Sequence, residues 1–254
     1  MRNILANFKQ HASNVDRLID FDREVMHVAF ATVDDLHQRL VKQRVENEQL
    51  NGTRALQLLR GIRDHESLKP RFSLILNQAV VLLVSYFGSA VEDIFSYAIS
   101  ASLRGNSSSR LKKEDMRLTV AELLDAMANP DESVAELLIE KKDLSFQDMQ
   151  AIQRAFREYL NVEIDKDTSV NNIILAQACR HVIVHAGGEV TSRLLRQISG
   201  AFPRDIKNDI TEKSSIHFNR QEVQVVAESM QRYLSVLVER IEKALTSSEA
   251  KGVT

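Results

Sequence analysis

The run Ala79-Val80-Val81-Leu82-Leu83-Val84 decides the fold. It lies in the most apolar part of the chain, residues 71–103, and is hydrophobic all round, as a helix at the centre of a bundle would be. It is far too short to span a bilayer by itself. The composition agrees with helix. Eight Gly and three Pro in 254 residues are few, and turn-rich all-β folds need more of both. There is no Trp and aromatic residues make up 6%, so the core rests on Leu, Ile, Val and Ala, which suits helix packing. Hydrophobic residues at 44% and charged residues at 27% place the chain among ordinary globular proteins rather than disordered ones. No segment alternates with period two, and no internal repeat is visible.

Working back from this run, Ser67-Leu68-Lys69-Pro70 breaks the chain, because Pro cannot continue a helix and restricts the residue before it. Thr53 caps a short helix over 54–65. Before that, Val15, Leu18, Ile19, Val25, Met26, Ala29, Phe30, Val33, Leu36 and Leu40 recur at spacings of three and four. This predicts one long helix from Asn14 to the Asn51-Gly52 turn signal, with residues 1–12 frayed. Its apolar stripe is wider than a two-stranded seam, since Phe21, Val28 and Val41 fall beside it, so it is expected to pack along a bundle or a partner subunit. The expected organisation is a helical extension over 1–69, a helical bundle over 70–246 and a flexible tail over 247–254.

Working forward, 104–109 is a loop, and Glu114-Asp115 is read as opening a helix through Met127. Asn129-Pro130-Asp131 is a turn, a short helix covers 131–141, and Ser145 or Asp148 starts another that runs to Leu160. Residues 161–166 form a polar connector. Asp167, Thr168 or Ser169 caps a helix over 170–185 with Ile173, Ile174, Ala178, Ile183 and Val184 as apolar positions. Residues 191–202 read as a helix stopped by Pro203, and 204–215 as irregular. Asn219 and Glu222 make a capping box. The last helix, 220–245, carries Val223, Val226, Met230, Leu234, Leu237 and Ile241 on one face.

The chemistry concentrates in Ala178-Cys179-Arg180-His181-Val182-Ile183-Val184-His185-Ala186-Gly187-Gly188. Arg180 and His185 are five apart, about 140° around a helix and roughly one turn along it, so near a helix end both can reach one cleft. Gly187-Gly188 lets the backbone leave the helix at once and lets a phosphate approach closely. A histidine can take a proton from a hydroxyl near neutral pH. An arginine is a permanent cation whose fork matches phosphate. Base plus phosphate clamp is the minimum kit for attack of a ribose 2′-hydroxyl on its own phosphodiester, a reaction that needs no metal because the nucleophile is in the substrate. The net charge of −2 argues against coating nucleic acid by bulk charge but leaves room for a local basic site.

Arg180-His181-Val182-Ile183-Val184-His185 resembles the R-x4-6-H motif of the HEPN superfamily, α-helical domains many of which are metal-independent ribonucleases. The resemblance covers about residues 70–245. The position after Arg is His181 here, where Asn or Asp is commoner. The family tends to carry an acidic residue on an earlier core helix facing the motif, and Glu92 or Asp93 matches it. The resemblance implies an all-α, HEPN-like antiparallel bundle and an endoribonuclease of the stress, toxin–antitoxin or anti-phage defence type. His185 would be its general base, Arg180 its phosphate ligand and His181 an assistant, with Glu92 or Asp93 holding Arg180 or a histidine. It further implies RNA as substrate, a homodimer that brings two motifs into one cleft, and no cofactor.

Other readings of these residues stand beside this one. His181 and His185 share a face as zinc pairs do, but Val182 replaces the Glu of H-E-x-x-H and no third ligand is evident, His217 being remote in sequence. Arg180 and His185 would also suit a helix C-terminus as plain dipole-compensating cations. Cys179 reads as a small core residue rather than a reactive thiolate. Asn171 and Asn172 read as serving the helix start, and Arg104, Arg110, Lys112 and Lys113 as a solvated basic loop. A second functional class is a non-catalytic interaction module in which the long N-terminal helix binds a partner protein. A third is a toxin covered by an antitoxin. The single Cys rules out an intramolecular disulfide framework, and residues 1–10 lack the apolar run of a signal peptide, so a soluble, cytoplasmic protein is expected.

Overall fold

The structure is a computed structural model and describes residues 1–42, 69–104, 111, 114–128 and 130–251. Its helices are α1 (Arg2–Lys42), α2 (Lys69–Arg104), α3 (Val120–Ala128), α4 (Pro130–Lys141), α5 (Met149–Leu160), α6 (Thr168–His185), α7 (Ser192–Ile198) and α8 (Arg220–Lys251). No β-strand occurs among the described residues, and the fold is all-α, as composition and periodicity predict.

The helix built on Ala79–Val84 is the hub. α2 packs against α1, α4, α5, α6 and α8. Pro70 lies in its first turn, where the absent N–H would have had no intrahelical acceptor. Val80, Leu83, Phe87, Val91, Ile94 and Phe95 are buried. Phe95 gathers Phe146, Phe156 and Tyr159 at centroid distances of 5.3, 5.3 and 6.1 Å. By length and composition Leu74–Arg104 is apolar enough to cross a membrane, yet 50% of its most apolar window is buried in the protein. The core helix of a packed domain has the same composition.

α1 departs from expectation at its start. It is helical from Arg2, and Phe8, Ala12 and Val15 are buried. The Phe8 ring, 2% exposed, meets Phe87 edge-on at 6.4 Å, and His11 stacks on Tyr86 at 4.3 Å. The residues expected to fray are therefore the ones fixed to the core. Burying one such phenylalanine contributes about 1.5–3 kcal/mol, enough to overcome the fraying of a terminus. Further along, Leu18, Phe21, Val25, Val28 and Leu36 are exposed. Arg220, at the start of α8, pairs with Asp16 at 3.1 Å and with Asp20.

Several boundaries are corrected. α3 begins at Val120, not at Glu114, because Thr119 and Glu122 form a reciprocal capping box. The Thr119 N–H donates to Glu122 at 2.7 Å, and the Glu122 N–H to the Thr119 hydroxyl at 3.3 Å. Glu114 instead holds Lys142 at 2.7 Å. α7 stops at Ile198, ahead of Ser199-Gly200, rather than at Phe202. α8 continues to Lys251, so 247–251 belong to a helix and not to a loose tail. The caps read at Asp148, Asp167 and Asn219 hold, and all six apolar positions named on the last helix are buried. The Asn51-Gly52 stop, the short helix over 54–65, the loop at 105–109 and the basic residues Arg110, Lys112 and Lys113 lie outside the described residues.

Candidate functional site

The motif helix is a core element that emerges from the core in its last turns. Asp167 caps α6 by accepting the Val170 N–H at 2.9 Å. From Val170 to Cys179 nearly every residue is buried, then Arg180 is half-buried, and His181, Val184 and His185 are exposed. Cys179 is fully buried, and burial pushes its thiol up to about 12, so it packs rather than reacts.

The exit from α6 is built as its glycines predict. The N–H groups of Ala186 and Gly188 both donate to the Val182 carbonyl, at 2.9 and 3.1 Å. Gly187 at φ +61° and Gly188 at φ +84° occupy the left-handed region that other residues enter at a cost. Nothing lies within 4 Å of a Cβ built on Gly187, so the helix end is open on that side. Gly188 is buried, and its carbonyl accepts the Ile216 N–H at 2.8 Å. Ile216 is itself held by Asn77 of α2, whose side chain donates to the Ile216 carbonyl at 2.8 Å and accepts the Phe218 N–H at 3.0 Å. A buried amide on the hub helix thus fixes the segment against which the motif helix ends.

The opposite end of α6 is tied down by Asn171 and Asn172, which do not serve the helix start. Asn171 donates to the Pro203 carbonyl at 2.8 Å. Asn172 donates to Asp205 at 2.9 Å and to the Ser229 hydroxyl at 3.2 Å, and accepts the Asp205 N–H at 3.0 Å. Between these anchors Arg204 is buried, donates to the Lys207 carbonyl at 2.7 Å and stacks over Phe202 at 4.1 Å; burial lowers its pKa.

Beside the emerging end of α6 lies a cleft of about 640 Å³. Its walls are α6 from Ile174 to His181, the start of α5, Lys166 and the end of α7 with the residues after it. Arg180 and His181 line it together, with Arg196 and Lys166 as further cations. Its one carboxylate, Asp148, already accepts the Ala151 N–H at 2.8 Å as the cap of α5. Lys166 donates to the Gly200 carbonyl. Arg180, Arg193 and Arg196 have no carboxylate within ion-pair distance among the described residues, and the Nε of Arg180 is buried without a hydrogen-bond partner among them. An excess of unpaired cation beside a helix N-terminus favours an anionic ligand.

The imidazoles of His181 and His185 are 4.8 Å apart, centroid to centroid, and tilted by 49°. His181 has its pKa lowered from 6.5, first by partial desolvation and then by electrostatic interaction with His185, Arg193 and Arg180. The shift favours its neutral form. His185 stands one turn further on, exposed and outside the cleft lining.

Glu92 and Asp93 are not brought to this site. They occupy the exposed face of α2 and line a separate groove of about 570 Å³ with Glu136 and Glu140 of α4. Neither carboxylate is within ion-pair distance of Arg180. The reason is helical phase. Val91, Ile94 and Phe95 turn into the core, so the two residues between them turn out. Among the described residues no group of three or more His, Cys, Asp or Glu is arranged to hold a metal ion, and His217 does not join the histidine pair.

Gln177, Lys166 and Arg196 join the site only through the tertiary structure. Gln177 is a polar residue inside an apolar helix, one turn before Arg180, and that interruption was a usable signal. Lys166 and Arg196 sit on elements far apart in sequence and carry no local signal.

Fold and cleft together define an all-α protein with an electropositive, histidine-bearing cleft at the end of a core helix. No protein-family model matches the chain, and neither a curated protein nor a solved structure matches it.

Proposed function

We propose that the chain is an endoribonuclease that cleaves RNA in the cleft at the end of α6, without a metal cofactor. One observation carries this reading. An arginine with no acidic partner among the described residues lines the same cleft as an imidazole whose surroundings favour its neutral form, and a second imidazole stands 4.8 Å from the first. Arg180 binds the non-bridging phosphate oxygens and the charge that develops on them. His181 takes the proton of the ribose 2′-hydroxyl, O2′ attacks phosphorus, and the bond from phosphorus to O5′ breaks. His185 gives a proton to the departing O5′. The products are a 2′,3′-cyclic phosphate and a 5′-hydroxyl. The base is assigned to His181 rather than His185 because His181 lines the cleft and His185 does not. Glu92 and Asp93 have no part in this reading.

The resemblance of the Arg180–His185 motif to the HEPN superfamily supports the same chemistry. It also suggests a homodimer and a role in stress or anti-phage defence in the cytoplasm, with or without an antitoxin. The test is cleavage of a single-stranded RNA in chelator, with end-group analysis. Arg180→Ala and His181→Ala proteins that fold normally and cut at the wild-type rate would sink the proposal. A second reading, a non-catalytic interaction module, is favoured by the exposed apolar residues Leu18, Phe21, Val25, Val28 and Leu36 of α1. It requires that no RNA be cut and that a complex with a partner protein be lost when these residues are made polar.

A further inference from the structure

Gln177 is the least expected residue of the cleft. It is 7% exposed, yet neither its amide oxygen nor its amide nitrogen has a hydrogen-bond partner among the described residues. Asn77 and Asn172 are bonded through both ends and Asn171 through its nitrogen, so Gln177 alone of these four buried amides has neither end met among the described residues. A buried amide with neither end met is costly, and a leucine or methionine would fill the position without that cost. The residue lies one turn before Arg180 and lines the same cleft, whose walls also include the apolar side chains of Ile174 and Met149. The terminal torsion of a glutamine is soft, so the amide can turn toward a ligand without changing its other rotamers.

An amide offers one donor beside one acceptor. So does the edge of a nucleobase, which is how glutamine reads bases. The cleft holds such an amide within the same walls as the arginine that would bind a phosphate. Its volume of about 640 Å³ is of the size that takes a small-molecule ligand. A base from duplex RNA could not enter it, whereas an unstacked base from a single strand could. We infer that this cleft is a nucleobase-binding subsite for single-stranded RNA, in which Gln177 hydrogen-bonds the base edge and makes the protein base-selective. The inference rests on the reading of Arg180 as a phosphate ligand. It does not require that the bound RNA be cut.

The experiment uses the full chain and labelled 2′-O-methyl pentanucleotides, which lack the nucleophile. Each has an abasic backbone with a single guest base, A, C, G or U, at its centre. Binding is read by fluorescence anisotropy. The wild-type chain should bind one guest at least tenfold more tightly than the weakest. Gln177→Met, which keeps the length and removes the amide, should bring all guests within about twofold of one another, while Arg180→Ala should weaken all of them alike. Equal affinities in the wild type, absence of binding, or a preference retained in Gln177→Met overturns the inference. Cleavage of the matching 2′-hydroxyl RNA is scored separately. Base-selective binding without cleavage leaves the subsite standing and removes the nuclease reading, and cleavage indifferent to base does the reverse.

Discussion

Replacing Gln177 by Met should make the protein more stable, although the substitution removes a polar residue from a candidate binding site. The amide is buried and has no hydrogen-bond partner at either end among the described residues. Mutational data put the cost of such a group at about 1–3 kcal/mol. Met has the same unbranched length and a similar entropy of ordering, so packing strain is expected to return less than about 1 kcal/mol. The net gain is then about 1–2 kcal/mol. For a chain of this size about 2–4 °C accompany each kcal/mol, so Tm should rise by roughly 2–8 °C in a calorimetric or circular-dichroism melt. Asn172→Leu is the control, because it removes an equally buried amide whose bonds to Asp205 and Ser229 are made. It should lower stability by about 2–4 kcal/mol, since the Asp205 N–H loses its acceptor. A fall in Tm for Gln177→Met would refute the reasoning. It would mean that the amide is bonded in the folded protein and is not held for a ligand. A rise in Tm together with loss of base discrimination would be stability given up for function at this position.

Three further outcomes are expected. If His181 is the base it must be unprotonated to work, so the acid limb of kcat/KM should lie below 6.5; Arg193→Gln removes one of the cations that lower this pKa and should move the limb to higher pH. A limb that stays in place or moves to lower pH counts against the assignment. Phe8→Ala should cost about 3–5 kcal/mol in urea unfolding, because the ring is buried against Phe87; a loss below about 1 kcal/mol would show the first turns of α1 to be dispensable. The hydrogen bond from Lys141, with the Thr119 backbone bond, holds the Glu122 carboxyl down at about 2, against 4.5 ordinarily. Its stabilisation of α3 is therefore complete above pH 4.5 and fades as pH falls toward about 2. Lys141→Met should shift the Glu122 carboxyl titration, followed by NMR, to higher pH, and an unchanged midpoint would refute the pairing.

Much of the fold was legible because its signals are local. Asp148, Asp167 and the Asn219–Glu222 box each satisfy backbone N–H groups within three residues, so sequence spacing specifies them. The Thr119–Glu122 box has the same local spacing, and the acidic pair Glu114-Asp115 competes with it as a helix-start signal. At the start of α1 the general tendency of a terminus to fray is overridden by burial of Phe8, Ala12 and Val15, which share helical spacing. At the site, Arg180, His181 and the glycine exit were readable, since they follow one another on one helix.

The sequence by itself determined the all-α class, the hub helix around Ala79–Val84, most caps and the chemistry at the end of α6, all of which depend on neighbours within a turn or two. Only the tertiary structure decided what those residues face. It placed Arg180 and His181 in a cleft with Gln177, Lys166 and Arg196, and turned Glu92 and Asp93 to another groove. It also made Asn77 and Asn172 the anchors of segments more than thirty residues away. The physical reason is that a helical sequence fixes the angle between its own side chains. The direction in which the whole set points is fixed by which face the other helices bury.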